Sequence, residues 1–205
     1  MLKYLLSAGT GYLLGSLNSG VIISKLAFLE DVRHHGSGNA GATNMARVFG
    51  LGAGILTLGC DMAKAIVSME IGKKLAGDTG LAVAGAACIA GHCWPAYYHF
   101  KGGKGAAVGA ATALMIGPGP FASAAAAFFA GALTTKKVSV GSVSGAVALP
   151  IACLLFKVGK PKQILACLAS SIVLWEHRPN IKRLIEHTEP DFKAGPSRLI
   201  PKKAQ

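Results

Sequence analysis

Four short polar segments interrupt an otherwise apolar chain, and their residue types suit the binding of anions. Residues 36–44 read GSGNAGATN and lead into Met45-Ala46-Arg47, where a helix can start. Backbone N–H groups of a glycine loop before a helix form a nest for phosphate, and an arginine adds a fork of donors. Ser37, Gly38, Asn39, Thr43, Asn44 and Arg47 are therefore candidate contacts; an ordinary flexible loop is the plain alternative. Gly36, Gly38 and Gly41 also fit the dinucleotide pattern G-x-G-x-x-G, with Asp61 further along the chain. That reading fails on context, because no strand precedes the loop and Asp61 falls in an apolar run.

The second segment, Lys101-Gly102-Gly103-Lys104-Gly105, is half a P-loop. A Walker A motif needs Ser or Thr after its lysine to hold magnesium, and Gly105 stands there instead. What remains is a glycine frame presenting ammonium groups beside open backbone amides, suited to phosphate but not to ATP hydrolysis. A basic loop that only sets topology is the alternative. Ser139 and Ser142 flank a helix start in the third segment, as caps or as ligand contacts. The fourth, His177-Arg178-Pro179-Asn180-Ile181-Lys182-Arg183-Leu184, closes the last apolar stretch. Its histidine can carry a proton or merely anchor the chain at a membrane surface. Asn180 offers both a donor and an acceptor to a sugar or glycerol hydroxyl. Asp61 and Lys64, one turn apart inside an apolar run, are expected to form an internal ion pair, since ionisable groups at membrane depth face the bundle interior in pairs.

Common catalytic sets are missing. No serine lies in G-x-S-x-G, and none of the six histidines has an aspartate five positions later, which excludes the His-x-x-x-x-Asp pair of the common glycerolipid acyltransferases. The five cysteines contain no C-x-x-C pair, so they point to neither a zinc site nor a disulfide framework.

The elements that must position these segments are membrane helices. The 205 residues are 52% hydrophobic and only 15% charged, with a mean hydropathy of +0.47. Glycine is in excess, 27 residues, against roughly 7% in average usage. Small residues let helices approach closely in lipid, and small-xxx-small pairs occur at Gly11/Gly15, Gly50/Gly54, Gly105/Gly109 and Gly141/Gly145. Apolar stretches mark seven spans: about 2–28, 52–76 and 79–98, two within 105–133, the first of them short, parted at Gly117-Pro118-Gly119-Pro120, and then about 141–156 and 161–175. The fourth and fifth are alternatively a re-entrant pair. The first stretch has no A-x-A-like cleavage site, so a cleaved signal peptide is not expected.

Charge sets the orientation. With the N-terminus outside, the inside regions 31–51, 99–104, 135–140 and 176–205 hold thirteen lysines and arginines against six outside. The same assignment puts all four polar segments on the cytoplasmic face. The net charge of +12 is then accounted for by topology and by anionic lipids or phosphorylated substrates, without a nucleic-acid partner.

The motifs in order, GSGNAGATN with Arg47, GHCWP (91–95), FKGGKG (100–105), the serine pair and HRPNIKRL with Glu189, resemble the membrane-embedded glycerol-3-phosphate acyltransferases that take acyl-phosphate as donor. Asn18 stands where that family often has proline, Ala107-Val108 where it has Ala-Thr, and His187 where glycine is usual. The resemblance implies a single all-α polytopic domain over 1–205, seven-spanning, with the N-terminus outside and the C-terminus cytoplasmic. It also implies acyl transfer to the 1-hydroxyl of glycerol 3-phosphate, giving lysophosphatidate and phosphate in the first step of bacterial phospholipid synthesis. The setting would be the bacterial plasma (inner) membrane, with a monomer acting without cofactor or metal. Lys104, His177, Asn180 and Arg47 would be catalytic. Ser37, Gly38, Asn39, Thr43, Asn44, Lys101, Gly102, Gly103, Ser139, Ser142 and Arg183 would bind substrate. A carrier or channel for a phosphorylated solute is the rival reading; it needs polar residues along a path through both leaflets, and few stand in the outer half.

Overall fold

The structure is a computed structural model and describes residues 1–196. Its regular elements, among the described residues, are all helical. They run α1 (Leu2–Ser16), α2 (Ser19–Phe28), α3 (Ala42–Phe49), α4 (Leu51–Cys93), α5 (Ala106–Ile116), α6 (Pro118–Thr135), α7 (Val138–Leu155), α8 (Lys160–Glu176) and α9 (Arg178–Ile185). Single 3-10 turns at Val32–His34 and Ala96–Tyr98 shape two of the loops. Arg198, Lys202 and Lys203 of the basic tail lie outside the described residues.

Two stretches, Leu51–Tyr98 and Val138–Leu155, are long and apolar enough to cross a membrane. The first holds two arms. Ala76 and Gly77 leave the helical region, Gly77 at φ 60° and ψ −150°, a conformation open to glycine. The expected parting of the spans 52–76 and 79–98 therefore falls where the chain bends, within one continuous element. Gly72 and Gly80 face one another across the bend.

The first apolar stretch differs from expectation. It is two helices, broken at Leu17-Asn18, where Asn18 accepts from Val21 N at 3.4 Å as the N-cap of α2. The cause lies in another helix: Lys64 of α4 reaches the carbonyls of Gly15 (3.0 Å) and Leu17 (2.7 Å). The carbonyls that a break leaves unpaired are thus met by a buried ammonium. The boundary at Gly117-Pro118 appears as expected, with Pro118 opening α6.

Small residues bring the helices together. A Cβ on Gly11 or Gly15 would run into the backbone of Ala84 or Cys88 on α4, and one on Gly141 into Phe128 and Ala132 of α6. Two of the small-residue pairs read from the sequence are therefore contact faces. The main core, including Met69, Leu81, Ile89, Val108 and Leu165, lies among α4, α5, α7 and α8. A second, around Val21, Met45 and Phe49, seats the short helix α3 against α2 and α4.

Candidate active site

The loop at 31–41 is held by its own side chains and by Asn44 in the first turn of α3. Asn44 accepts from Ser37 N at 2.9 Å and donates through Nδ2 to the carbonyls of Val32, His35 and Asn39. Its amide thereby folds the loop, and Asn44 also lines the cavity described below. Asn39 Oδ1 accepts from Gly41 N at 2.9 Å, and Gly38 takes φ +70°. Arg33, paired with Asp31 at 2.8 Å, donates to the carbonyls of Tyr98 and Lys101, joining this loop to the next.

The second glycine segment departs from expectation. Gly102 N donates to Cys93 O (3.2 Å) and Gly103 N to His92 O (3.0 Å), so these amides are not open to a ligand. Lys101 is exposed. None of Lys101, Gly102 and Gly103 lines the cavity described below. The corrected role of this segment is to present Lys104.

Around Lys104 the polar groups form one chain of hydrogen bonds. Lys104 Nζ donates to Asn180 Oδ1 at 2.5 Å, and Asn180 Nδ2 donates to Glu189 Oε1 at 2.6 Å. The same carboxylate accepts from Ser139 Oγ at 2.6 Å and, through Oε2, from Arg183 Nε at 2.7 Å. Burial opposes ionisation of Glu189, and the three donors outweigh it, holding the carboxyl below its ordinary value. Burial also lowers Lys104, helped by the nearby positive charge of Arg183 and partly offset by Glu189. Neither serine caps α7: Ser139 is spent on Glu189, and Ser142 donates to Val138 O at 3.1 Å.

His177 is 4% exposed, and burial brings its pKa down to about 4. The imidazole is neutral near pH 7. Its Nδ1 lies 2.7 Å from Val173 O, which can only accept, so the proton is on Nδ1 and Nε2 keeps its lone pair.

These groups line a single cavity of about 970 Å³. Ser37, Gly38, Asn39, Thr43, Asn44, Arg47, Lys104, Ser139, Ser142, His177, Asn180 and Arg183 all face it. Its other wall is apolar, with Phe121, Phe128 and Phe129 of α6, Leu149 of α7 and Met62 of α4. Three cations line it. Arg183 is paired with Glu189, whereas Arg47 and Lys104 have no carboxylate within ion-pair distance among the described residues.

Two lining residues had no role assigned from sequence: Glu189, which belonged to the resemblance, and His92, which stood inside GHCWP. The ion pair expected of Asp61 and Lys64 is present, at 2.8 Å. The 187–196 strap was unmarked: Phe192 N donates to Lys136 O (2.8 Å), Gly195 N to Ala46 O (3.0 Å), and Asp191 pairs with Lys137. The available signal was the presence of three carboxylates, Glu186, Glu189 and Asp191, in an otherwise basic tail.

A family profile described as glycerol-3-phosphate acyltransferase matches residues 5–187. The glycerol-3-phosphate acyltransferase of Thermoanaerobacter pseudethanolicus is 37% identical over 184 residues, covering 90% of this chain and 93% of the relative. That of Syntrophotalea carbinolica is 39% identical over 186 residues, covering 89% and 94%. The fold is similar to the crystal structure of PlsY (YgiH), an integral membrane glycerol 3-phosphate acyltransferase, in its glycerol 3-phosphate form. There the TM-score is 0.87 with 29% identity, over 93% of this chain and 96% of the other. Its lysophosphatidic acid form gives a TM-score of 0.85 with 28% identity, over 93% and 95%. The chain belongs to the glycerol-3-phosphate acyltransferase family and is an acyltransferase.

Proposed function

We propose that the chain transfers an acyl group from acyl-phosphate to the 1-hydroxyl of glycerol 3-phosphate, giving lysophosphatidate and phosphate. The observation that carries this reading is one cavity with two uncompensated cations, Arg47 and Lys104, and an apolar wall from α4, α6 and α7. Two phosphates and an acyl chain match those surfaces. Donor phosphate binds at Lys104, with Ser37, Ser142 and the amides of the 36–41 loop; Arg47 neutralises phosphate charge. Asn180 and His177 orient the glycerol moiety, and His177 Nε2 accepts a hydrogen bond from a glycerol hydroxyl.

The chemistry balances without a strong base. The 1-hydroxyl oxygen attacks the acyl carbon, the bond from that carbon to the phosphate oxygen breaks, and the departing phosphate takes the hydroxyl proton. Acyl-phosphate is an activated anhydride, so holding the reactants in line and stabilising charge supply most of the acceleration. The protein's part is therefore donors and positioning, and the reading calls for no cofactor or metal.

The same proposal includes the setting. The chain is a single domain in the bacterial inner membrane, spanning it seven times if α1 and α2 count as one span and the arms of α4 as two. The N-terminus is outside and the site cytoplasmic, as the charge distribution supports. One monomer carries every group named. The test is phosphate release by detergent-purified protein given acyl-phosphate and glycerol 3-phosphate. Release that requires both substrates, with lysophosphatidate formed in equal amount, is expected. Flux of glycerol 3-phosphate into liposomes without release would overturn the reading in favour of a carrier.

A further inference from the structure

A buried cluster on α4 stands between the break in the first helix pair and the loop that carries Lys104. Lys64 Nζ lies 3.0 Å from Gly15 O, 2.7 Å from Leu17 O and 3.1 Å from His92 Nδ1. Asp61 Oδ1 is the counter-ion, 2.8 Å from Lys64 Nζ and 3.7 Å from His92 Nδ1. An ammonium can only donate, so His92 Nδ1 accepts, and the neutral ring carries its proton on Nε2. The Nε2 edge of that ring packs on Gly103: a Cβ added there would strike Nε2, Cε1 and Cδ2. Gly103 N donates to His92 O, and the next residue is Lys104. The imidazole is held from one side by Lys64 and supports the Lys104 loop on the other.

We propose that Lys64 and His92 are positioning residues for the acyl transfer, with Lys64 fixing the ring on which Gly103 rests and so the height of the Lys104 ammonium in the cavity. Asp61 supplies the counter-charge to Lys64, 2.8 Å away. The inference rests on the acyl-transfer reading, which assigns Lys104 to the donor phosphate.

The test uses the full chain in detergent, as wild type, Lys64→Met, Lys64→Arg, His92→Ala, Gly103→Ala and the His92→Ala/Gly103→Ala double variant. Displacing a catalytic group by about 1 Å costs on the order of 100-fold in rate. Lys64→Met, His92→Ala and Gly103→Ala are therefore each expected to lower kcat by at least about tenfold per folded molecule. Lys64→Arg keeps the donors and is expected to recover part of the loss. Gly103→Ala acts by striking the ring, so the double variant is expected to be no worse than His92→Ala alone. Losses that multiply in the double variant, or a Lys64→Met kcat within about threefold of wild type, would overturn the proposal. A second measurement does not depend on turnover: labelling of Lys104 by an amine reagent, followed by mass spectrometry across pH. A changed labelling profile in His92→Ala supports the proposal, and an unchanged one refutes it. A wild type that labels at Lys104 but releases no phosphate would sink the acyl-transfer reading instead.

Discussion

Asn180 offers the sharpest test of how the site is wired. Its amide accepts from Lys104 at 2.5 Å and donates to Glu189 at 2.6 Å, so each bond has a charged partner. Hydrogen bonds to charged groups contribute about 1.5–3 kcal/mol each. Asn180→Ala leaves Glu189 with Ser139 and Arg183, so the fold near α9 survives, but the Lys104 ammonium loses the acceptor that aims it. One bond of that kind, lost where phosphate charge must be held, predicts a fall in kcat/KM of roughly 10- to 150-fold, by the conversion of about 1.4 kcal/mol per decade. Asn180→Asp separates aiming from charge. It keeps an acceptor for Lys104, yet it sets a carboxylate against Glu189 and neutralises a cation meant for phosphate. Its KM for the anionic substrates is expected to rise more than its kcat falls. The assay is initial-rate phosphate release, with both substrates varied and the folded fraction fixed by size-exclusion chromatography. An Asn180→Ala enzyme within about threefold of wild type, or an Asn180→Asp enzyme with unaltered KM, would refute the reasoning.

Lys104→Met should lose at least about 100-fold in kcat/KM, and Lys104→Arg about tenfold, because the guanidinium fork does not reproduce the single short contact to Asn180; equal losses in phosphate-release kinetics would contradict this. Burial holds His177 at about 4 against an ordinary 6.5, so the folded state binds fewer protons than the unfolded one between those values and stability falls as pH drops from 6.5 to 4. The full penalty is about 3 kcal/mol, and thermal unfolding in detergent should show that slope flattened in His177→Gln. A Cβ at Gly195 would strike the carbonyl of Arg47, so Gly195→Ala is expected to lift the 187–196 strap. Limited proteolysis within the strap should then quicken, and KM for glycerol 3-phosphate should rise while α1–α8 stay protected.

What the sequence made legible follows physical range. Apolar run length and Gly-Pro punctuation are local, so the boundaries near Gly77 and Gly117 were visible, and so was the gathering of polar segments on one side. Arg33 joins Lys101, Lys104 joins Asn180, Ser139 joins Glu189, and Gly195 joins Ala46. The break at Leu17-Asn18 was not visible, because its cause is Lys64, 47 residues away from Leu17 in the chain. The amides of Gly102 and Gly103 illustrate the opposite error. A glycine-rich, lysine-bearing segment looks like an open phosphate nest from composition, but whether its N–H groups are free depends on which carbonyls the fold places opposite them. Here those are His92 and Cys93 at the end of α4. Asn44 was legible as a residue of the site, but not its hydrogen bonds to the carbonyls of Val32, His35 and Asn39, which depend on how the loop folds back on α3.

The charge inventory of the cavity supports the proposed reaction, in which no side chain acts as a conventional base. Of the ionised side chains on its wall, Arg183 and Glu189 cancel one another, and Asp61 is cancelled by Lys64, which stands outside the lining. Arg47 and Lys104 remain. Burial is the first reason the Lys104 pKa is lowered, with the charge of Arg183 next and that of Arg47 a smaller contribution. On the proposed reaction, phosphate oxygens would supply the counter-charge that neither Arg47 nor Lys104 has from a carboxylate among the described residues. A carboxylate base beside these cations would pair with one of them in the phosphate's stead. The neutral His177, kept so by burial, adds a hydrogen-bond acceptor without adding a charge. On the proposed reaction, proton acceptance falls to the departing phosphate, and the protein's part is to aim one ammonium and one imidazole.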